Sequence, residues 1–272
     1  MQMMEILAYI ASALIGISLG LIGGGGSILT VPVLVYLFGL NPVLSTSYSL
    51  FIVGSTSLVG AINSYRKGLV RIKTALLFGL SSITTVFLTR RYLIPIIPDQ
   101  LLMIGGFSVT RYLATMVLFA ILMIAASLAM IGDNNKLKSG ETSKKGVHIP
   151  RLLLTGVAIG LATGLLGAGG GFLLIPTLVL LIGLPMKEAV GTSLLIIALN
   201  SLIGFIGDLG HFDINWLFLL KITAIAIAGI IAGEALSKQI SGQKLKKGFG
   251  WFVLMMGTYI IVKELFLKKQ TP

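Results

Sequence analysis

Two stretches of the chain, GLIGGGGSILTVPVL at residues 20–34 and GLLGAGGGFLLIPTL at 164–178, set a run of glycines between apolar segments. Glycine in a helix interior costs up to about 1 kcal/mol per site relative to alanine, so each run interrupts whatever helix precedes it. A helix that restarts beyond the interruption presents unpaired N–H groups and the positive end of its dipole. Residues without a Cβ let an anion approach that end closely. The predicted chemistry is anion binding, by Gly24, Gly25, Gly26 and Ser27 in the first run and by Gly169, Gly170 and Gly171 in the second. A nucleotide loop of the Gly-Lys-Ser/Thr type is excluded because neither run carries the lysine. A dinucleotide fingerprint fails because its third glycine falls on Ile28 or Phe172. Close helix packing is the competing use of small residues in membranes. The runs lie between apolar segments and shortly before Pro32 and Pro176, rather than at four-residue spacing within a helix.

A second set of polar residues follows each run. Ser49, Thr56 and Gly60 share one helix face, and 144 residues later the same face carries Ser193, Asn200 and Gly204. With Ser47 and Thr192 beside them, these hydroxyl and amide groups would supply neutral donors to an oxyanion. Hydrogen bonding between helices is their alternative role. Charged side chains inside apolar spans are functional candidates by default. Lys221 could snorkel to the interface or face a cavity, while Glu234 and Arg90, which align at the 144-residue offset, could make ion pairs or sit at the interface.

Several chemistries are excluded. With no cysteine there is no disulfide, thiolate metal site or thiol relay. The only histidines, His148 and His211, make no transition-metal set. No catalytic residue, cofactor or metal is expected. The net charge of +12 comes from 21 Lys and Arg against 9 acids, clustered in short loops. That placement orients a membrane protein by the positive-inside rule and gives no reason to expect a nucleic-acid partner.

The elements that must position these groups are membrane helices. The chain has 272 residues, is 56% hydrophobic and only 11% charged, and has a mean hydropathy of +1.00. Apolar stretches of about 20 residues, the length that crosses a hydrocarbon core of about 30 Å, recur from end to end. The predicted class is an all-α polytopic membrane protein of about 8–10 segments, its first helix (4–22) retained rather than cleaved as a leader. Of the 31 positions 20–50, 14 are identical to those 144 residues later, so the chain reads as two copies of one unit. Residues 1–131 form the first repeat, 132–150 a polar, charged cytoplasmic linker, and 151–272 the second repeat. Each repeat is expected to open with a helix (4–22; 151–166) and continue with a half-helix too short to cross (28–39; 172–183). Longer spans are expected at 45–64 and 188–207, 72–89 and 215–236, and 101–131 and 246–266.

Charge orients the copies. The loop YRKGLVRIK (65–73) has four basic residues and no acid, whereas its counterpart DLGHFDIN (208–215) has two acids and no Lys or Arg. Placing basic loops in the cytoplasm puts the equivalent loops on opposite faces, so the repeats are inverted; Arg90-Arg91 on the outer face runs against the trend. The conclusion holds whether the first helix and half-helix cross or re-enter, because either count leaves an odd number of crossings per copy. Inverted repeats with broken helices are the layout of secondary transporters, which hold substrate near the midplane.

The blocks GAGGGFLLIP (167–176) and AVGTSL (189–194), with their first-half counterparts, resemble the TauE/SafE sulfite exporter family over essentially the whole chain. The first copy departs from the pattern, with Ser27 for the last glycine and Ser47-Tyr48-Ser49 for Gly-Thr-Ser. The resemblance implies a multi-pass permease of a cell membrane, the plasma membrane of a prokaryote, whose partner is a small sulfur-containing anion such as sulfite, sulfoacetate or thiosulfate. A divalent anion leaving a cell held at about −100 mV gains about 4.6 kcal/mol, from about 2.3 kcal/mol per charge, so export or facilitated flux by alternating access needs no coupling ion. Proton-coupled uptake would need a buried carboxylate, for which Asp208 and Glu234 are the nearest candidates. An anion channel is the remaining alternative.

Overall fold

A computed structural model describes residues 2–23, 27–98, 100–104, 107–132, 149–167, 169–180, 182–211, 213–237 and 242–264. Gly24, Gly25, Gly26 and nearly all of the predicted linker lie outside the described residues. Helix α1 (Gln2–Ile22) leads to the short α2 (Ser27–Tyr36), then α3 (Pro42–Arg66), α4 (Ile72–Leu88) and a last turn, α5 (Ile94–Ile96). After strands β1 (Gln100–Ile104) and β2 (Phe107–Thr110) come α6 (Arg111–Ile131), α7 (Ile149–Leu166), the short α8 (Gly171–Leu180), α9 (Met186–Asp208), α10 (Trp216–Ser237) and α11 (Gly242–Val262). Among the described residues four helical segments are long and apolar enough to cross a membrane: Pro42–Arg66, Ile72–Ile96, Met186–Asp208 and Trp216–Ser237. The protein is an all-α polytopic membrane protein.

Two expected spans end differently. The segment predicted as helix from 101 to 131 begins with an antiparallel hairpin, Met103 opposite Ser108 and Ile104 opposite Phe107. The helix starts only at Arg111, where the Thr110 hydroxyl caps it by accepting from the Leu113 N–H at 3.2 Å. The Gly105-Gly106 pair between the strands was the available sequence signal. The span predicted to end at 89 instead continues through a π turn, Thr89–Leu93, to Ile96, which carries Arg90 inside the helical run.

Helix α1 packs along α10 and α4 along α7, while α3 packs on α9 and α6 on α11. The first two pairs approach closely through glycines spaced by four. A Cβ at Gly16 would lie 2.0 Å from the Ala226 carbonyl oxygen, and one at Gly160 would lie 2.6 Å from the Ser82 carbonyl oxygen. These positions are equivalent at the 144-residue offset, as are their partners. The α3–α9 pair runs antiparallel: Thr46 and Asp208 share a partner at one end, Gly54 meets Leu202 midway, and Ser64 meets Gly191 at the other end. Gly60 packs on Ile230 and Leu194, and Gly204 on Val86 and Leu50, the same pairs exchanged by the offset.

Candidate functional site

The glycine runs end α1 and α7 and begin α2 and α8. Each short helix has ten residues, about 15 Å at 1.5 Å per residue and half of what a crossing needs. In the second run Gly169 and Gly170 have φ of +66° and +67°, a region that other L-residues enter at a cost. The Gly170 carbonyl accepts from the N–H groups of Leu173 and Leu174, both at 3.0 Å, so the chain turns from the break directly into α8. Space is as restrictive as φ. A Cβ at Gly169 would lie 2.8 Å from Val53 Cγ1 on α3, 3.0 Å from Ile197 Cγ2 and 3.1 Å from Ser201 Oγ on α9. The break therefore rests against the centre of the antiparallel α3–α9 pair.

The interior around the break and along this helix pair holds polar atoms without hydrogen-bond partners. They are the hydroxyls of Ser49, Thr56 and Ser57 on α3, the Asn200 Oδ1 and Ser201 hydroxyl on α9, and the hydroxyls of Thr30 on α2 and Thr163 on α7. A buried polar group left unpaired costs about 1–3 kcal/mol, so native interiors hold few of them. Those on α3 alone span about 12 Å of the helix at 1.5 Å per residue, a row of donors and acceptors available to something polar.

Not every predicted residue joins this group. Ser27 opens α2 and Gly171 opens α8, both buried. Ser47 lies against the Asp208 carboxylate rather than at the break. Ser193 donates to the Val190 carbonyl at 2.8 Å. Thr192 accepts from the Arg71 N–H at 3.0 Å, which ties the loop before α4 to α9. The equivalent bond in the other half runs from the Asn215 N–H to Tyr48 Oη at 2.7 Å. Asn200 donates to Ser82 on α4 and keeps its carbonyl oxygen free.

Sequence reasoning missed Ser57 and Ser201, although the 144-residue offset relates them, and it missed the Arg90–Asp208 pair. Glu234 does form an ion pair, with Lys67 at 2.9 Å, and it also accepts from Asn63. Lys221 is exposed on α10. Among the described residues no cluster of His, Asp and Glu could hold a metal ion.

The sulfite exporter TauE/SafE family matches residues 8–260 of the chain. A "Probable membrane transporter protein" of Xylella fastidiosa (strain Temecula1) is 30% identical over 261 residues, covering 92% of each chain. YdhB and YunE of Bacillus subtilis, each also named a probable membrane transporter protein, are 27% and 25% identical. YdhB covers 81% of this chain and 85% of its own length, YunE 90% and 93%. No solved structure matches the chain.

Proposed function

Given that the chain belongs to the TauE/SafE sulfite exporter family and is a membrane transporter, we propose that it carries small sulfur-containing anions of the sulfite, thiosulfate and sulfoacetate class. On this reading the carrier exports its substrate or lets it flow downhill by alternating access. Two inverted copies, 1–131 and 151–272, bring their half-helices to the α3–α9 pair, α2 packing on α3 and α8 on α9. The observation that carries the reading is the position of the second break against the centre of two antiparallel helices equivalent in sequence, where buried hydroxyls lack partners. Because α3 and α9 correspond at the 144-residue offset, their opposite directions support inversion of the copies. The exchanged helix pairings, α1 with α10 and α7 with α4, support a twofold relation between the copies.

Two half-helix starts facing one pocket would hold an anion by dipole and N–H groups. Irregular backbone at this depth is tolerated because neighbouring helices cover it. The test is flux in proteoliposomes, comparing sulfite, thiosulfate, sulfate and sulfoacetate with and without a proton gradient. Saturable movement of at least one sulfur anion without a proton gradient supports the reading. Movement only with an imposed gradient would replace it with coupled uptake.

A further inference from the structure

The most deeply buried charges among the described residues lie outside those assigned above to the anion. Arg90 on the π turn is 0% exposed and Asp208, the last residue of α9, is 1% exposed. Both of the arginine's hydrogen bonds come from a single nitrogen: Arg90 Nη1 donates to Asp208 Oδ2 at 3.1 Å and to Thr46 Oγ1 at 3.0 Å. Arg90 Nε and Nη2 have no partner, while the Ser47 hydroxyl lies against the Asp208 carboxylate. Nε and Nη2 share one edge of the guanidinium, and such an edge binds two oxygens of an oxyanion side by side.

A purely structural ion pair would be expected to use that edge, because a buried charge is retained only when its remaining donors are also satisfied. The pair also adjoins the second glycine run. Thr46 packs on Gly167, and Thr89, the residue before the arginine, packs on Gly164. π turns inside helices often mark functional sites, and buried charges in membrane spans mark substrate paths.

We infer that Arg90 is an anion-binding residue of the transport path, receiving two oxygens of a sulfite- or sulfonate-like oxyanion on Nε and Nη2. Asp208 holds Nη1 as an internal stand-in while the site is empty. In this conformation the ends of α4 and α9 enclose the arginine, and the anion reaches it when those ends part. The inference rests on the transport reading above.

The test measures binding of thiosulfate and of sulfite to the purified full-length chain by calorimetry, with flux in proteoliposomes run in parallel. Arg90→Gln combined with Asp208→Asn removes both charges with little change of shape and avoids stranding either one. This double variant is expected to melt near the wild type and to bind at least tenfold more weakly. Arg90→Lys is expected to bind at an intermediate level, a point charge replacing a fork, and Asp208→Asn alone at least as tightly as the wild type. Binding by the double variant within twofold of the wild type would overturn the site, and flux that persists in it would leave the transport reading standing. Arg90-dependent binding with no wild-type flux would instead uphold the site and remove the transport reading. If the double variant does not fold, Arg90→Lys and Asp208→Asn decide: equal affinity in both overturns the inference. A wild type that neither binds nor moves these anions overturns both.

Discussion

Replacing Gly169 by alanine separates the two demands that the second break makes on its residues. The left-handed conformation, φ +66°, costs a residue with a Cβ about 1–2 kcal/mol. The new methyl would also lie 2.8 Å from Val53 Cγ1 and 3.0 Å from Ile197 Cγ2, and overpacking of this kind costs about 1–3 kcal/mol. Gly39 is the internal control, with the same φ of +66° and nothing within 4 Å of its would-be Cβ. Gly39→Ala is therefore expected to lose only the conformational part, and the difference between the variants isolates the packing of the break on α3 and α9. At about 2–4 °C per kcal/mol for a chain of roughly this size, Gly169→Ala should melt several degrees below Gly39→Ala. The assay is thermal unfolding in detergent followed by tryptophan fluorescence, with both variants at equal lipid content. Equal shifts for the two would refute the close approach of the break to the α3–α9 pair. Gly169→Leu extends the series into function: it should abolish anion flux in the protein that still folds, and unchanged flux would reject the break as part of the path.

Ser201→Ala and Ser49→Ala each remove a buried hydroxyl that has no partner. Each should hold or raise the melting temperature while weakening anion binding several-fold, because an unpaired polar group costs about 1–3 kcal/mol in the empty protein; a variant that loses stability at unchanged affinity returns its hydroxyl to a structural role. Gly233→Val should sharply lower the yield of folded protein, since even a Cβ there would lie 2.2 Å from the Ile17 carbonyl oxygen, and normal yield and melting would contradict the glycine-mediated α1–α10 contact. The chain has no cysteine, so Tyr65→Cys and Asp213→Cys, both at exposed positions, give single-site probes of the two equivalent loops. An impermeant maleimide should label them from opposite sides of the membrane, and labelling of both from one side would contradict inversion.

Much of the helical plan was legible because it is local. The glycine runs, the half-helices, expected at 28–39 and 172–183 and found at Ser27–Tyr36 and Gly171–Leu180, and the 144-residue offset are patterns along the chain, and hydropathy alone marks the spans. The hairpin before α6 was hidden because Leu101 to Phe107 is as apolar as a membrane helix, and only Gly105-Gly106 and the Thr110 cap betray it. The Arg90–Asp208 pair was hidden for a different reason. Its partners lie 118 residues apart in the chain, and a π turn carries helix past the point where charge signalled an end. Thr192 and Ser193 show the limit of reading a helix face. Their spacing placed them toward the site, yet one hydroxyl caps a neighbouring loop and the other bonds its own helix. Conversely, Ser57 and Ser201 stand beside the residues chosen from the stripe, and only the packing of Gly169 singles Ser201 out.

The most direct test of the central proposal, that the two copies form a carrier for a small sulfur anion, is counterflow. Vesicles holding the reconstituted protein are loaded with unlabelled thiosulfate or sulfite and diluted into a trace of the same anion carrying labelled sulfur. A carrier that exposes one site alternately to each side should accumulate the label transiently above its external concentration before it decays. Label that only equilibrates at a rate proportional to concentration, or that does not enter at all, would contradict alternating access by this chain.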